Sequence, residues 1–193
     1  MTTKTPDDFS RLRMTVACAI DAEAQTLLRH LQRTRAVVRH VWPLPEKIGS
    51  DADIVLIDCA PGVAQHLDWM PGEAAAALVL LLPQTGRIDL RDIQAACPDA
   101  VLHRPYLPQA IDVALAVARD HFGYSKRQRI RISRMEENIR AIRDIEKAKR
   151  VIMDHNQVNE EEAFRIMRQM AMERRATIAS IAAKLVDSAA LLV

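Results

Sequence analysis

The chain has 193 residues, and 49% of them are hydrophobic, which is enough for one or two domains with a buried core. Its three cysteines lie far apart inside apolar runs, a pattern that argues against a disulfide framework or a zinc site. The net charge of +2 hides an uneven distribution: residues 1–120 hold 12 basic and 15 acidic side chains, whereas residues 121–193 hold 15 and 10. The basic C-terminal part indicates that only this end meets a polyanion.

No targeting segment or membrane span is predicted. The N-terminal stretch MTTKTPDDFSRLR has no apolar signal core. The longest apolar run, from Ala74 to Leu82, is too short to cross a bilayer. We therefore expect a soluble, cytoplasmic protein that does not engage a membrane.

The N-terminal part alternates between strand and helix patterns. Apolar, β-prone runs predict strands at 14–20, 37–42, 53–58, 75–82 and 100–103, and helical spacing predicts helices at 22–34 and from about residue 108. This alternation is typical of a parallel sheet covered on both faces. The unit, assigned to residues 1–120, resembles the flavodoxin-like receiver domains of bacterial response regulators.

The residues expected to form a receiver's phosphorylation site match that family only in part. Asp58, at the carboxyl end of the third strand, is similar to the phosphate-accepting aspartate. The acidic pair that holds magnesium in receivers is reduced to Asp21, with Glu23 as a substitute. Arg104 replaces the usual lysine, and Pro83 displaces the expected hydroxyl. Phosphorylation requires cations that neutralise the developing charge. The sequence therefore predicts a pseudo-receiver without metal or cofactor, with Asp58 as its candidate phospho-acceptor.

A long helix is predicted to follow the receiver-like domain. Residues 109–153 contain no proline and one glycine, Gly123, where a kink is plausible. Apolar residues repeat in this segment with three-four spacing, which indicates a short coiled-coil seam and a parallel homodimer. The seam residues are Ile132, Met135, Ile139 and Ile142. We assign residues 121–143 to this linker.

The C-terminal part, residues 144–193, predicts three short helices in an all-α bundle. Asn159 is placed to cap the middle helix, with Glu162 at the capping-box position. The helix then presents an apolar face, formed by Ala163, Ile166, Met167, Met170 and Ala171. Basic side chains around this core must stay near solvent, because burying unpaired charge is very costly.

This C-terminal part resembles the ANTAR domain, an RNA-binding antitermination module. The resemblance is carried by Ala148-Lys149, Ile152-Met153, Glu162-Ala163-Phe164, Arg168, Ala171-Met172, Arg174-Arg175, Ile178, Ala182 and Val186. Arg150, where glycine is frequent, and Met167, where leucine is common, depart from the family. The resemblance and the charge pattern together predict RNA contacts at Ala148, Lys149, Arg165, Arg168, Arg174 and Arg175. Phe164, Met153 and Met172 are expected in the core.

A short stretch, Trp42-Pro43-Leu44-Pro45-Glu46, is further similar to the amidase-operon branch of this family, whose receiver is also degenerate. In that branch a ligand-sensing protein related to periplasmic binding proteins sequesters the regulator until the inducer is present. The resemblance therefore implies a negative regulatory partner of this kind for the present chain.

The hypothesis that follows is an RNA-binding transcription antiterminator, whose dimer grips hairpins in leader mRNA. The alternative is a two-component response regulator that binds DNA under control by phosphorylation, because three short basic helices also suit that role. An enzyme is not expected, since the sequence offers no nucleophile and base pair, phosphate loop or metal cluster. The six histidines show no ligand spacing.

Overall fold

The computed structural model describes residues 9–48, 51–86 and 88–190. The chain divides into two compact units, one up to Lys126 and one from Arg127 onward. No helix among the described residues combines the length and the apolarity needed to cross a membrane.

The first unit is built on a five-stranded parallel sheet. The strands are β1 (Arg13–Ala17), β2 (Val37–His40), β3 (Ile54–Asp58), β4 (Ala77–Leu82) and β5 (Ala100–His103). They are arranged in the order β2-β1-β3-β4-β5, and every neighbouring pair is parallel. The predicted flavodoxin-like, receiver-like fold is confirmed.

The central strands explain why this sheet forms. β4 reads ALVLLL and is buried at every position, and β3 is buried at its first four, as expected for strands covered on both faces. The edge strand β2 is only partly buried. β1 ends at Ala17, three residues before the predicted end, because the backbone N–H of Ala19 donates instead to the carboxylate of Asp58 (3.1 Å).

Helices cover the sheet unevenly. α1 (Ala22–Arg33), α2 (Leu90–Ala96) and α3 (Pro108–Asn156) are present, but no helix lies between β2 and β3 in the described residues 41–48 and 51–53. The β3–β4 connection contains only a 3-10 turn, Val63–His66. These two connections depart from strict strand–helix alternation, and prolines such as Pro43, Pro45 and Pro61 disfavour regular helices there.

Two apolar clusters flank the sheet. One contains buried residues of α1, represented by Leu27 and Leu31, and of the start of α3, represented by Ile111 and Leu115. The other packs the 3-10 turn and α2 against β3 and β4. These clusters hold the carboxyl ends of β1, β3 and β5 in fixed positions. The candidate site of the first unit lies at these strand ends.

The second unit contains the rest of α3, then α4 (Glu160–Glu173) and α5 (Ile178–Ala190). α3 is continuous over 49 residues, so the linker and the first predicted helix of the bundle form one element. The three helices share a core of Ala148, Ile152, Ala163, Met167, Ala171, Ile181 and Ala182. The predicted three-helix arrangement is present.

Candidate functional site

The second unit carries exposed arginines along α4 and in the turn that follows it. Arg165 and Arg168 lie on α4, Arg174 caps its carboxyl end, and Arg175 occupies the turn in a left-handed conformation (φ 49°). Arg165 donates to Glu162 at 3.0 Å, whereas no ion pair of the described residues engages the other three. Three guanidinium groups are therefore available to bind an anion.

The two ends of α4 differ in charge. Its first turn consists of Glu160, Glu161 and Glu162, and the side chain of Asn159 caps it by accepting from the Glu162 N–H (2.9 Å). The start of α5, capped by Thr177, has no acidic residue in its first turn. Because a helix amino terminus carries partial positive charge, the start of α5 favours phosphate, whereas the three glutamates at the start of α4 repel it.

An apolar stripe lies beside these cations. Phe164 is 40% exposed and Met172 is 65% exposed, so the expectation that both lie in the core was wrong. With Arg168 between them at four-residue spacing, they share one face of α4. The core face of α4 is already formed by Ala163, Met167 and Ala171. Phe164, Arg168 and Met172 each follow one of these buried residues in the sequence, and this offset of one residue predicts that their side chains are exposed.

Two predicted contact residues lie inside the bundle. Ala148 has no exposed surface, so the structure does not place it on a surface that could contact RNA, although the sequence predicted such a contact. Lys149 is also buried, and its Nζ lies 2.6 Å from carboxylate oxygens of both Glu146 and Glu160. Hydrogen bonds to these two carboxylates raise the pKa of Lys149. Its charge is used within the protein.

The predicted dimer seam is solvent-exposed in the single chain. The exposed fractions are 55% for Ile132, 54% for Met135, 48% for Ile139 and 62% for Ile142. Four large apolar side chains on one face of α3 constitute an unpartnered surface, which a coiled-coil contact would bury.

In the first unit, a cavity of about 470 Å³ opens at the carboxyl ends of the strands. Asp58 lines it together with Asp21, Glu23 and Arg104 and with the side chains of Trp42, Leu44, Cys59 and Thr85. Burial raises the pKa of Asp58, partly offset by the hydrogen bond from the Ala19 N–H. Thr85 lies two residues beyond Pro83 and places a hydroxyl-bearing residue in the cavity wall.

Arg104 connects the groups of this cavity. It forms an ion pair with Asp21, and its Nη2 lies 3.9 Å from Oδ1 of Asp58. The Nε of Arg104 donates to the hydroxyl of Tyr106 (3.1 Å). The backbone N–H of Tyr106 donates to the carboxylate of Glu23 (2.9 Å). Burial raises the pKa of Tyr106 to about 12. The hydrogen bond from the Ala24 N–H, together with Arg104, lowers the pKa of Asp21.

The structure thus brings together Asp21, Glu23, Asp58 and Arg104, as the sequence predicted. Tyr106 is a member that sequence reasoning missed, although it lies two residues after Arg104. The described residues contain no cluster of three His, Cys, Asp or Glu side chains suited to a metal ion.

Comparison with known families resolves the identity of both units. The AmiR N-terminal family matches residues 12–119, which is more than half of the chain, and the ANTAR domain family matches residues 133–186. The chain belongs to the AmiR family of ANTAR regulators. The family membership predicted from the sequence is confirmed. This AmiR-family chain is an antiterminator-type response regulator, and the families it matches are regulatory rather than enzymatic.

Solved structures resemble the AmiR-family chain in fold. The response regulator StyR has 13% identity, with coverage of 92% of this chain and 99% of StyR and a TM-score of 0.50. Full-length FixJ from B. japonicum has 12% identity, with coverage of 94% of this chain and 98% of FixJ and a TM-score of 0.41. The comparison with curated proteins gives no match. At 13% sequence identity, the similarity to StyR supports the fold and nothing further.

Proposed function

We propose that this AmiR-family chain is an RNA-binding transcription antiterminator. A dimer would bind hairpins in the leader of a nascent transcript and favour them over a terminator stem, so that polymerase continues. Binding free energy alone can shift the choice between RNA folds, and no catalytic group is required.

The observation that carries the proposal is the surface formed by Phe164, Arg168 and Met172 on α4, next to Arg174 and Arg175 in the following turn. Exposed arginines bind phosphates and supply affinity that falls with salt. An exposed aromatic ring and a guanidinium plane also accept unstacked bases from a hairpin loop. A protein that binds only a polyanion needs no exposed phenylalanine.

In this proposal the parts of the chain divide the work. Residues 1–120 receive the control signal, residues 121–143 contribute to the dimer contact, and residues 144–193 bind RNA. The exposed seam on α3, represented by Ile132 and Ile139, would close against the same seam of a second copy. Two RNA-binding bundles would then lie on one dimer, which raises the effective concentration of the second site.

Control would come from a protein partner rather than from phosphorylation. The resemblance of the Trp42–Glu46 stretch to the amidase-operon branch supports a ligand-sensing partner related to periplasmic binding proteins. Trp42 is 48% exposed, so this stretch presents apolar surface for such a contact. Release by the partner's ligand would then free the dimer to bind RNA.

The test is a gel shift on RNA transcribed from the leader upstream of the chain's own gene, with intact and mutated hairpin loops and at several salt concentrations. The change is Arg174→Ala with Arg175→Ala. We expect loop-dependent binding by the unaltered protein. The logarithmic salt slope of the double variant should fall by about two, because each lost phosphate contact removes about one.

The matched control is Arg33→Ala with Arg35→Ala. It removes the same charge from the first unit, and Arg35, like Arg175, has a left-handed backbone (φ 62°). Its RNA binding should be unchanged. Binding that ignores the loop, together with stronger binding to promoter DNA of the same operon, would contradict the proposal and support the DNA-binding response regulator instead.

A further inference from the structure

The strand-end cavity of the first unit holds three carboxylates, and each already has a partner from within the protein. Asp21 accepts from the Ala24 N–H (2.7 Å), Asp58 accepts from the Ala19 N–H (3.1 Å), and Glu23 accepts from the backbone N–H of Tyr106 (2.9 Å). The described residues have no buried side-chain nitrogen or oxygen without a hydrogen-bond partner. Each of the three carboxylates is therefore held in place by a backbone N–H of the same unit.

The positive charge in the cavity comes from Arg104. Its guanidinium pairs with Asp21 and lies 3.9 Å from Asp58, so it lies between carboxylates of β3 and of the β1–α1 connection. It is only 16% exposed, whereas the arginines of two other ion pairs, Arg13 and Arg39, are 60% and 69% exposed. Arg104 is thus an enclosed cation, unlike the mostly solvated arginines of those two surface pairs.

The position of Arg104 is fixed from a third side. Its Nε donates to the hydroxyl of Tyr106 (3.1 Å), and its guanidinium carbon lies 5.1 Å from the centre of that ring. Tyr106 is 2% exposed and packs in the core, so it cannot move without disturbing the sheet. A planar guanidinium can serve two carboxylates and an aromatic ring at once, which a lysine ammonium cannot do with the same geometry.

A divalent metal ion does not fit these residues as they stand. Oδ2 of Asp21 and Oδ1 of Asp58 both lie within ion-pair distance of the same guanidinium, through Nη1 and Nη2. A hard cation needs several such oxygens free to point at one centre. Binding a metal would require Arg104 to leave its carboxylate partners and Tyr106, and a cation already in place opposes that exchange electrostatically.

We propose that Arg104 is a built-in cation that occupies the place of a divalent metal ion in this receiver-like cavity and makes the first unit insensitive to magnesium. Arg104 supplies one fixed positive charge beside two of the carboxylates, those of Asp21 and Asp58, without a soluble cofactor. Signals that depend on magnesium binding at this cavity are therefore not transmitted by this chain, whatever the output of the second unit.

The experiment uses the full chain with Trp69→Phe, which leaves Trp42 as its single tryptophan and as a fluorescent reporter in the cavity wall. Magnesium chloride is titrated at constant ionic strength while Trp42 emission and the thermal unfolding temperature are followed. The unaltered cavity should show no saturable response. Arg104→Ala should show a saturable response in both readouts, because the carboxylates are then free to converge on the ion.

The control is Arg13→Ala, which breaks the pair with Asp53 (3.7 Å) without touching the cavity. It should not respond to magnesium. Arg104→Gln provides a second test if the alanine variant is poorly folded: it removes the charge but keeps a planar donor for Tyr106, and a magnesium response is expected there too. A saturable response of the unaltered cavity that Asp58→Asn abolishes would overturn the proposal, as would well-folded Arg104 variants that ignore magnesium.

Discussion

Lys149 of α3 donates a hydrogen bond to Glu160 at the start of α4, with 2.6 Å between Nζ and Oε1. The same ammonium lies 2.6 Å from Glu146, one turn earlier on α3. A lysine expected to contact RNA is therefore held across the α3–α4 connection. The bundle uses its charge to join two helices, while the exposed arginines at the other end of α4 remain available.

Glu160→Gln should weaken the contact that holds Lys149. Lys149 then keeps one charged partner of the two, Glu146, and its ammonium is less tightly held. We expect the ammonium to reach a phosphate, so that leader RNA binding strengthens and the logarithmic salt slope steepens by about one. Glu161→Gln is the control, because it removes an equal charge from the next residue without freeing Lys149. Equal effects of the two variants in a salt series would show that only the general charge matters.

Two of the three methionines of α4, Met167 and Met172, should separate stability from binding. Met167 has no exposed surface, so Met167→Ala should lower the free energy of unfolding by about 2 to 5 kcal/mol. Met172 is 65% exposed, so Met172→Ala should change it by less than about 0.5 kcal/mol while weakening RNA binding. Urea unfolding and gel shifts on the same samples provide both values. A strongly destabilised Met172→Ala protein would contradict the placement.

Phe164 should contribute stacking rather than charge. Phe164→Ala is expected to weaken hairpin binding by about 1 to 3 kcal/mol, the contribution of one base stacked on an aromatic ring. The loss should persist at high salt, and Phe164→Tyr should restore most of the affinity. If the alanine variant binds the intact and mutated loops as the unaltered protein does, Phe164 is not a base platform.

The seam on α3 should determine the oligomeric state. Ile139→Asp places a charge in the centre of the proposed contact and should yield monomers in sedimentation experiments, with weaker RNA binding through lost bivalence. Ile130 is also exposed, at 45%, but lies off the three-four repeat, so Ile130→Asp is the matched control. A dimer that tolerates Ile139→Asp would place the contact elsewhere.

The two aspartates of the strand-end cavity should affect stability in opposite ways as pH changes. The pKa of Asp21 is lowered, so its ionised form stabilises the fold, and Asp21→Asn should destabilise the protein at neutral pH. The pKa of Asp58 is raised by burial, so Asp58→Asn should stabilise it.

Both differences should be measured by urea unfolding across pH. The Asp21 contribution is lost as pH falls below the ordinary value of 3.8 and through the lowered pKa. The Asp58 effect fades earlier, as pH falls through the raised pKa toward 3.8. If Asp58→Asn destabilised the protein at neutral pH, the attraction between Arg104 and the Asp58 carboxylate would outweigh the cost of burying that carboxylate. We also expect Asp58→Asn to leave antitermination intact in a reporter assay.

The sequence predicted most of the fold because the period of its apolar residues is a local property. The continuous apolar run of β4 and the spacing of Ala163, Met167 and Ala171 each determine which face is buried, whatever surrounds them. Asn159 likewise acts within its own helix. The ends of the strands were less predictable. The backbone N–H of Ala19 donates to the carboxylate of Asp58, 39 residues away, instead of continuing the hydrogen bonds of the sheet.

What the sequence by itself determined is the class of each unit: a parallel receiver-like sheet with an altered set of charged residues, followed by a basic helical bundle. Only the tertiary structure decided how the charges are used. Arg104 lies against Asp21 and Asp58, and Lys149 lies against Glu160, because packing brings these side chains within ion-pair distance. The strength of such pairing depends on distance and burial, and the order of residues along a chain specifies neither.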